Sequence, residues 1–154
     1  MPETQSQIEI HAPAGIAYAT VWDASRYPEF LTDVIDVTAA PGPTAAHQNA
    51  RLQLRVVREV EVEIALEGEP NSLVTWRLKD GGGWLERYDA AFTIEASEGA
   101  REVVVRLHLD IDFAGAVPEA VVRRLFDFSV PTMLRQIKAR AEMMARRAEA
   151  MVGW

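Results

Sequence analysis

The sequence predicts an α+β protein with a one-sided antiparallel sheet of six or seven strands. Two short helices precede the sheet and one long helix follows it. Three observations carry this expectation. Apolar residues recur at every second position through most of residues 34–113, and they return to helical spacing after Gly115 and keep it to about Met151. Clusters of Pro, Gly and Asn cut the middle stretch at intervals suited to hairpins.

In chain order, Ile8 and Ile10 flank Glu9 in a short strand. Pro13 suits the first turn of a helix, where its missing N–H has no partner to lose, and Ile16, Ala19, Thr20 and Trp22 continue at helical spacing. Proline disfavours the α conformation in the residue before it, so Tyr27 is expected to leave the helix. Pro28 then opens a new short turn carrying Phe30 and Leu31. Breaks follow at "PGP" (41–43), "GEPNS" (68–72), "DGGG" (80–83) and "EG" (98–99). Between them Leu52, Leu54 and Val56 alternate with Arg51, Gln53 and Arg55, and Val60, Val62, Ile64 and Leu66 alternate mainly with glutamates. Residues 73–78, 84–96 and 102–113 supply further strands, so the sheet has one dry and one charged face. From Pro118 to about Met151 the spacing predicts a helix of about 30 residues, about 45 Å long. Pro131 must break one interior hydrogen bond, to the carbonyl of Asp127, which places a kink near Phe128–Pro131. Gly153 suits the exit.

The 154 residues show no repeat or low-complexity linker and read as one domain, 1–154, long enough to bury a sizeable core. With no cysteine, neither disulfides nor a thiolate metal site is available, and a cytoplasmic location is expected. The N-terminus lacks the basic and apolar regions of a signal peptide, and no apolar run is long enough to span a bilayer. Twenty-three acidic side chains against 16 basic ones give a formal charge of −7, which disfavours nucleic acid and anionic lipid.

The stretch "IEIHAPAGIAYATVWDASRYPEFLTDV" (8–34) starts its helix at Ala-Pro and turns an elbow through Asp23, Tyr27, Pro28 and Phe30. It resembles the opening of the polyketide cyclase/dehydrase and coenzyme Q-binding branch of the START-like (SRPBCC) superfamily. "LVTWRL" (73–78) and "GGGWLERYDAAFTI" (81–94) are similar in layout to the strand pair that follows there, with Phe92 where many members carry tryptophan. The resemblance covers the whole chain and implies the helix-grip fold, a curved sheet wrapped around the long C-terminal helix. It also implies a cavity between the two, whose members bind, carry or cyclise small molecules or do nothing catalytic.

If residues 84–94 alternate without interruption, Trp84, Glu86, Tyr88, Ala90, Phe92 and Ile94 share the inward face. Val74, Trp76 and Leu78 join them from the neighbouring strand, and Leu54 from the one dry strand face before it. Phe126, Val130, Met133 and Ile137 of the long helix close the space, and Tyr27 and Phe30 reach its rim. These residues either line an apolar pocket or close-pack as core. Glu86 and Tyr88 are the polar members and the candidates for acid–base work, because a carboxylate on a dry face must be paired, neutralised or used. A β-bulge after the glycines would instead send Glu86 to solvent. Arg55 joins the set only if its strand shifts register.

Arg87, Asp89, Arg106, His108, Asp110 and Asp112 fall on the opposite parity and read as an outward charge ladder. His11, His47 and His108 are scattered, no ligand pair has helical spacing, and "DGGG" reads as a hairpin turn, so no metal, nucleotide or cofactor is expected. The long helix carries an excess of basic residues, including Arg123, Arg124, Arg146 and Arg147. These form either the wet side of an amphipathic helix or a docking face.

Three functions follow. The leading expectation is binding, for carriage or sequestration, of a lipophilic polyketide- or quinone-like molecule, with the protein a monomer or weak homodimer. The second is a polyketide aromatase/cyclase using Glu86 and Tyr88 for proton transfer. The third is a protein-partner module of the ribosome-association type.

Overall fold

The structure, a computed structural model, describes residues 3–97 and 101–152. Seven strands form a single antiparallel sheet: β1 (Glu3–Ile10), β2 (Val34–Pro41), β3 (His47–Val56), β4 (Arg58–Glu69), β5 (Leu73–Asp80), β6 (Leu85–Ala96) and β7 (Val103–Phe113). Their spatial order is β1-β7-β6-β5-β4-β3-β2, so every hairpin joins neighbours and β1 closes against β7. Between β1 and β2 lie α1 (Ala14–Trp22) and a 3₁₀ helix (Ala24–Glu29). After β7 come α2 (Glu119–Arg124), one π-helical turn (Leu125–Ser129) and α3 (Val130–Val152). This is the expected helix-grip architecture, with the higher of the two strand counts.

The two-residue alternation fixes the register. Leu52 opposes Val62 and Leu54 opposes Val60 on the dry face, while Arg51 opposes Glu63 and Arg55 opposes Glu59 on the wet one. The latter pairs close into exposed ion pairs at 3.4 and 3.6 Å, each worth little in water. The outward ladder of β6 and β7 is likewise present, with Arg87 3.1 Å from Asp110 and 3.8 Å from Asp112. Val130, Leu134, Ile137, Ala141 and Ala145 make the dry stripe of α3 and join one continuous core with Ile64, Leu66, Phe92, Val105, Leu107 and Ile111.

Several local features depart from simple periodicity. The 3₁₀ helix contains both Tyr27 and Pro28, so the chain does not leave and restart at that pair; it tightens through it and ends at Phe30. Pro13 stands one residue before α1, and its carbonyl accepts the N–H groups of Ile16 and Ala17. The β3–β4 turn carries no Gly, Pro or Asn, and its single residue, Val57, sits at φ 68°, a left-handed conformation that costs a β-branched side chain strain. Trp84 buttresses this turn: its indole N–H donates to the Val56 carbonyl at 2.8 Å, and the Arg58 guanidinium lies 4.2 Å from its ring centroid. At "DGGG", Gly82 (φ 63°) and Gly83 (φ 77°) take the left-handed turn that favours glycine. The "EG" turn at 98–99 and the proposed exit at Gly153 lie outside the described residues.

Where a kink is expected, near Phe128–Pro131, the structure has the π turn Leu125–Ser129. Pro131 has no N–H to give to Asp127, and the ladder widens just before it, so that the Val130 N–H bonds to the Leu125 carbonyl five residues back.

Candidate functional site

Between the concave face of the sheet and the start of α3 lies a cavity of about 30 Å³, room for one or two water molecules. Sheet, helix and elbow all contribute to its wall. Leu52, Leu54, Arg55 and Val56 come from β3, Trp76 from β5, Tyr88 from β6 and Leu109 from β7. Tyr27, Leu31, Asp33 and Val34 come from the elbow and the start of β2, and Leu125, Ser129, Val130, Met133 and Gln136 from the helical side. The wide hollow implied by the resemblance is therefore almost closed in this conformation, because aromatic and aliphatic side chains fill most of the concavity.

The expected residues divide. Tyr27, Leu54, Trp76, Tyr88, Val130 and Met133 line the cavity. Val74, Phe92 and Ile137 do not: they are completely buried in the packed core behind it. Leu78 is half-buried and lies past the point where β5 and β6 part, since their pairing ends at Trp76 opposite Ala90. Phe30 faces outward under the Arg140 guanidinium, 5.3 Å from its centroid.

Two of the corrections have one physical cause each. Glu86 does not share the inward face of Tyr88. A bulge falls between Leu85, opposite Phe113, and Arg87, opposite Asp112; it extrudes Glu86 to solvent and turns Leu85 inward in place of Trp84. Phe126 fails through the π turn: an α-helical ladder would place the residue four before Val130 on the cavity face, but the wider turn puts Leu125 there and leaves Phe126 on a separate surface hollow with Val117 and Val122.

The polar chemistry is concentrated on one side. Tyr27 is fully buried; its hydroxyl donates to the Val21 carbonyl and accepts the Trp76 indole N–H at 3.2 Å. Burial holds this phenol well above its ordinary pKa, against a smaller downward pull from the Trp76 hydrogen bond and with a further push from Asp23. The Trp76 ring continues into Tyr88 as a near-parallel stack, centroids 6.3 Å apart and planes 17° apart. Burial, and then the negative charge of Asp33, push the Tyr88 hydroxyl well above the usual phenol range. Asp33 is itself raised by burial, with Arg55 pulling the other way. Gln136 on α3 clamps the segment carrying Asp33, donating from Nε2 to the Thr32 hydroxyl at 2.9 Å and accepting the Thr32 N–H at 3.3 Å.

Sequence reasoning missed Asp33. Its one signal was a carboxylate inside the apolar run "FLTDVI", directly after the elbow. Arg55 enters the wall without any register shift, because the cavity opens at the end of β3 where the strand runs into its turn.

The sequence matches the polyketide cyclase/dehydrase and lipid transport family over residues 10–138. The chain belongs to that family. Among curated proteins none matches it. Solved structures share its fold at low identity. The Zhui aromatase/cyclase from Streptomyces sp. R1128 superposes with a TM-score of 0.79 at 13% identity, over 92% of this chain and 93% of that one. A START superfamily protein from Mycobacterium smegmatis gives 0.82 at 17%, over 92% and 98%. A protein from Thermus thermophilus gives 0.78 at 18%, over 94% and 99%. At these identities the family member shares a fold with its neighbours, and chemistry has to be argued from its own side chains. No helix among the described residues is long and apolar enough to cross a membrane.

Proposed function

We propose that this single-domain protein binds a planar, mainly apolar small molecule, polyketide- or quinone-like, between the sheet and α3. A cytoplasmic, soluble carrier or sequestering role suits it. The observation that carries this reading is the Trp76–Tyr88 stack, set in an apolar wall whose polar groups lie together. A flat ring system gains dispersion and burial against Trp76, Leu54 and Met133, and its hydroxyl or keto oxygen meets Tyr88, Asp33 and Arg55. A cavity that holds only one or two waters must widen to admit such a guest. The side of the wall best able to yield is the π turn, whose residues, like those of α2, include none that is fully buried.

The test is binding of a naphthoquinone or an anthraquinone dye, followed by quenching of tryptophan fluorescence, in the native chain and in Met133→Trp. Met133 is half-buried at the wall, so a larger ring there occupies the guest's space. Saturable quenching that Met133→Trp removes, with circular dichroism unchanged, is the expected result. Failure of the native chain to bind any planar guest, or unaltered binding in the variant, overturns the proposal.

A cyclase reading is favoured by one specific observation, the Asp33–Tyr88 pair. A carboxyl raised by burial beside a neutral phenol provides a base and a hydrogen-bond donor for enolising and dehydrating a polyketone. Turnover of a poly-β-ketone by the native chain that falls in Asp33→Asn by far more than guest binding does supports it. Turnover unaffected by that change removes it.

A further inference from the structure

The outside of the molecule carries a second, larger hollow that the small-molecule reading does not use. It is a trough of about 700 Å³ between α1 and α3, closed at one end by the 3₁₀ helix. Each helix offers one ridge to it at helical spacing: Ile16 and Ala19 from α1, continued by Asp23 at its C-cap, and Arg140, Met143 or Met144, and Arg147 from α3. Two side-by-side helices with a groove between them have the shape into which a third helix packs. Small residues at Gly15, Ala19 and Ala148 let a backbone come close, and the adjacent thioethers of Met143 and Met144 can adapt to a range of apolar side chains. Met144 is 38% exposed, a large apolar side chain on what should be a wet face.

The charges around the trough decide what fits it. Arg26 is occupied by Asp23 at 3.2 Å and Glu29 at 3.4 Å, and Arg140 by Glu29 at 2.7 Å, so the elbow end is internally neutralised. At the other end Arg147 has no carboxylate partner among the described residues, and Arg146 beside it is also exposed and unpaired there. In a chain of net charge −7, this end presents uncompensated positive charge next to an apolar floor.

We propose that the trough docks an amphipathic helix of a partner protein, with an apolar stripe at i, i+3/i+4 and i+7 flanked by carboxylates that meet Arg147 and Arg146. Concavity favours a helix over a lipid surface, since a bilayer meets convex or flat faces. The proposal stands independently of what the interior cavity binds.

The probe is a fluorescein-labelled synthetic helix of about 18 residues with a leucine stripe and flanking glutamates. Binding is read by fluorescence anisotropy with the full chain and by methionine-methyl NMR. Saturable binding in roughly the 1–100 µM range is expected, with shifts at the Met143 and Met144 methyls. Arg147→Glu and, separately, Met144→Glu should each weaken it about tenfold. Both positions are exposed, so the fold survives and circular dichroism verifies it. No binding by the native chain, or equal binding by both variants, overturns the proposal. So does Arg147-dependent binding of phosphatidylglycerol vesicles without peptide binding, which would make the face a lipid contact. Self-association that Arg147→Glu abolishes, again without peptide binding, overturns it in favour of a second copy of the chain.

Discussion

The indole N–H of Trp76 donates to the hydroxyl of Tyr27 across 49 residues of sequence, and that hydroxyl in turn donates to the Val21 carbonyl. One buried phenol thus ties the end of α1 and the 3₁₀ helix to the middle of β5. The elbow that packs Tyr, Pro and Phe together exists to deliver this oxygen to the cavity wall. Tyr27→Phe keeps the ring and deletes the oxygen, leaving a buried N–H and a buried carbonyl without partners. Stability should fall by about 1–3 kcal/mol, read as a lower urea midpoint at unchanged slope. Trp76 fluorescence should also lose its rigidity.

Alkaline pH gives an independent reading of the same wall. Tyr27 and Tyr88 both have folded-state pKa values raised by burial above the ordinary 10.0. Between the unfolded and folded values the native state holds more protons than the unfolded one, so stability is intact below about pH 10 and is lost as pH rises through the folded values. Each tyrosine contributes a slope of about 1.4 kcal/mol per pH unit in that window. Urea midpoints from pH 9 to 12 should bend downward above 10, and tyrosinate absorbance from these two residues should appear only with unfolding.

Glu86 offers the opposite expectation. Extruded at a bulge and exposed, it should tolerate Glu86→Gln with a stability change within about 0.5 kcal/mol and no change in guest binding. Loss of binding in that variant would mean that β6 runs without its bulge.

Val57 is held at φ 68° at the tip of the β3–β4 turn, more than half exposed, with Arg55 and Val56 beside it in the cavity wall. Val57→Gly relieves left-handed strain and adds entropy to the unfolded chain. The first effect is the larger for a β-branched residue, so stability should rise by roughly 1 kcal/mol. A lower thermal midpoint would show that the tip is not strained.

Much of this architecture was legible in the residues, because alternation and helical spacing report the side of an element that is dry. Leu52, Leu54, Val105 and Leu107 sit where their parity placed them. What periodicity left open or placed wrongly has no periodic signature of its own. The bulge at Glu86 and the π turn before Pro131 each insert one residue, and a single insertion flips the face of a strand or rotates the face of a helix. That is why Glu86 could be read on either face, why Phe126 fell on the wrong side, and why Leu125 was not placed in the cavity wall. Asp33 and Gln136 escaped for a different reason: each is a lone polar residue whose meaning comes only from neighbours far away in the chain.

The pairing of β5 with β6 spans only Leu73–Trp76 against Ala90–Thr93; beyond it the Asp89 carboxylate, 3.1 Å from the Leu78 N–H, stands in for a missing backbone partner. The sheet is thus two leaves on a short spine, β2 to β5 on one side and β6, β7 and β1 on the other. The turn at 81–84 still joins the leaves at that end, and Trp84 fastens it to Val56 of β3. The seam is therefore a slit closed at both ends, whose lips, bridged by the Asp89 carboxylate and the Trp76–Tyr88 stack, can part without breaking a ladder rung.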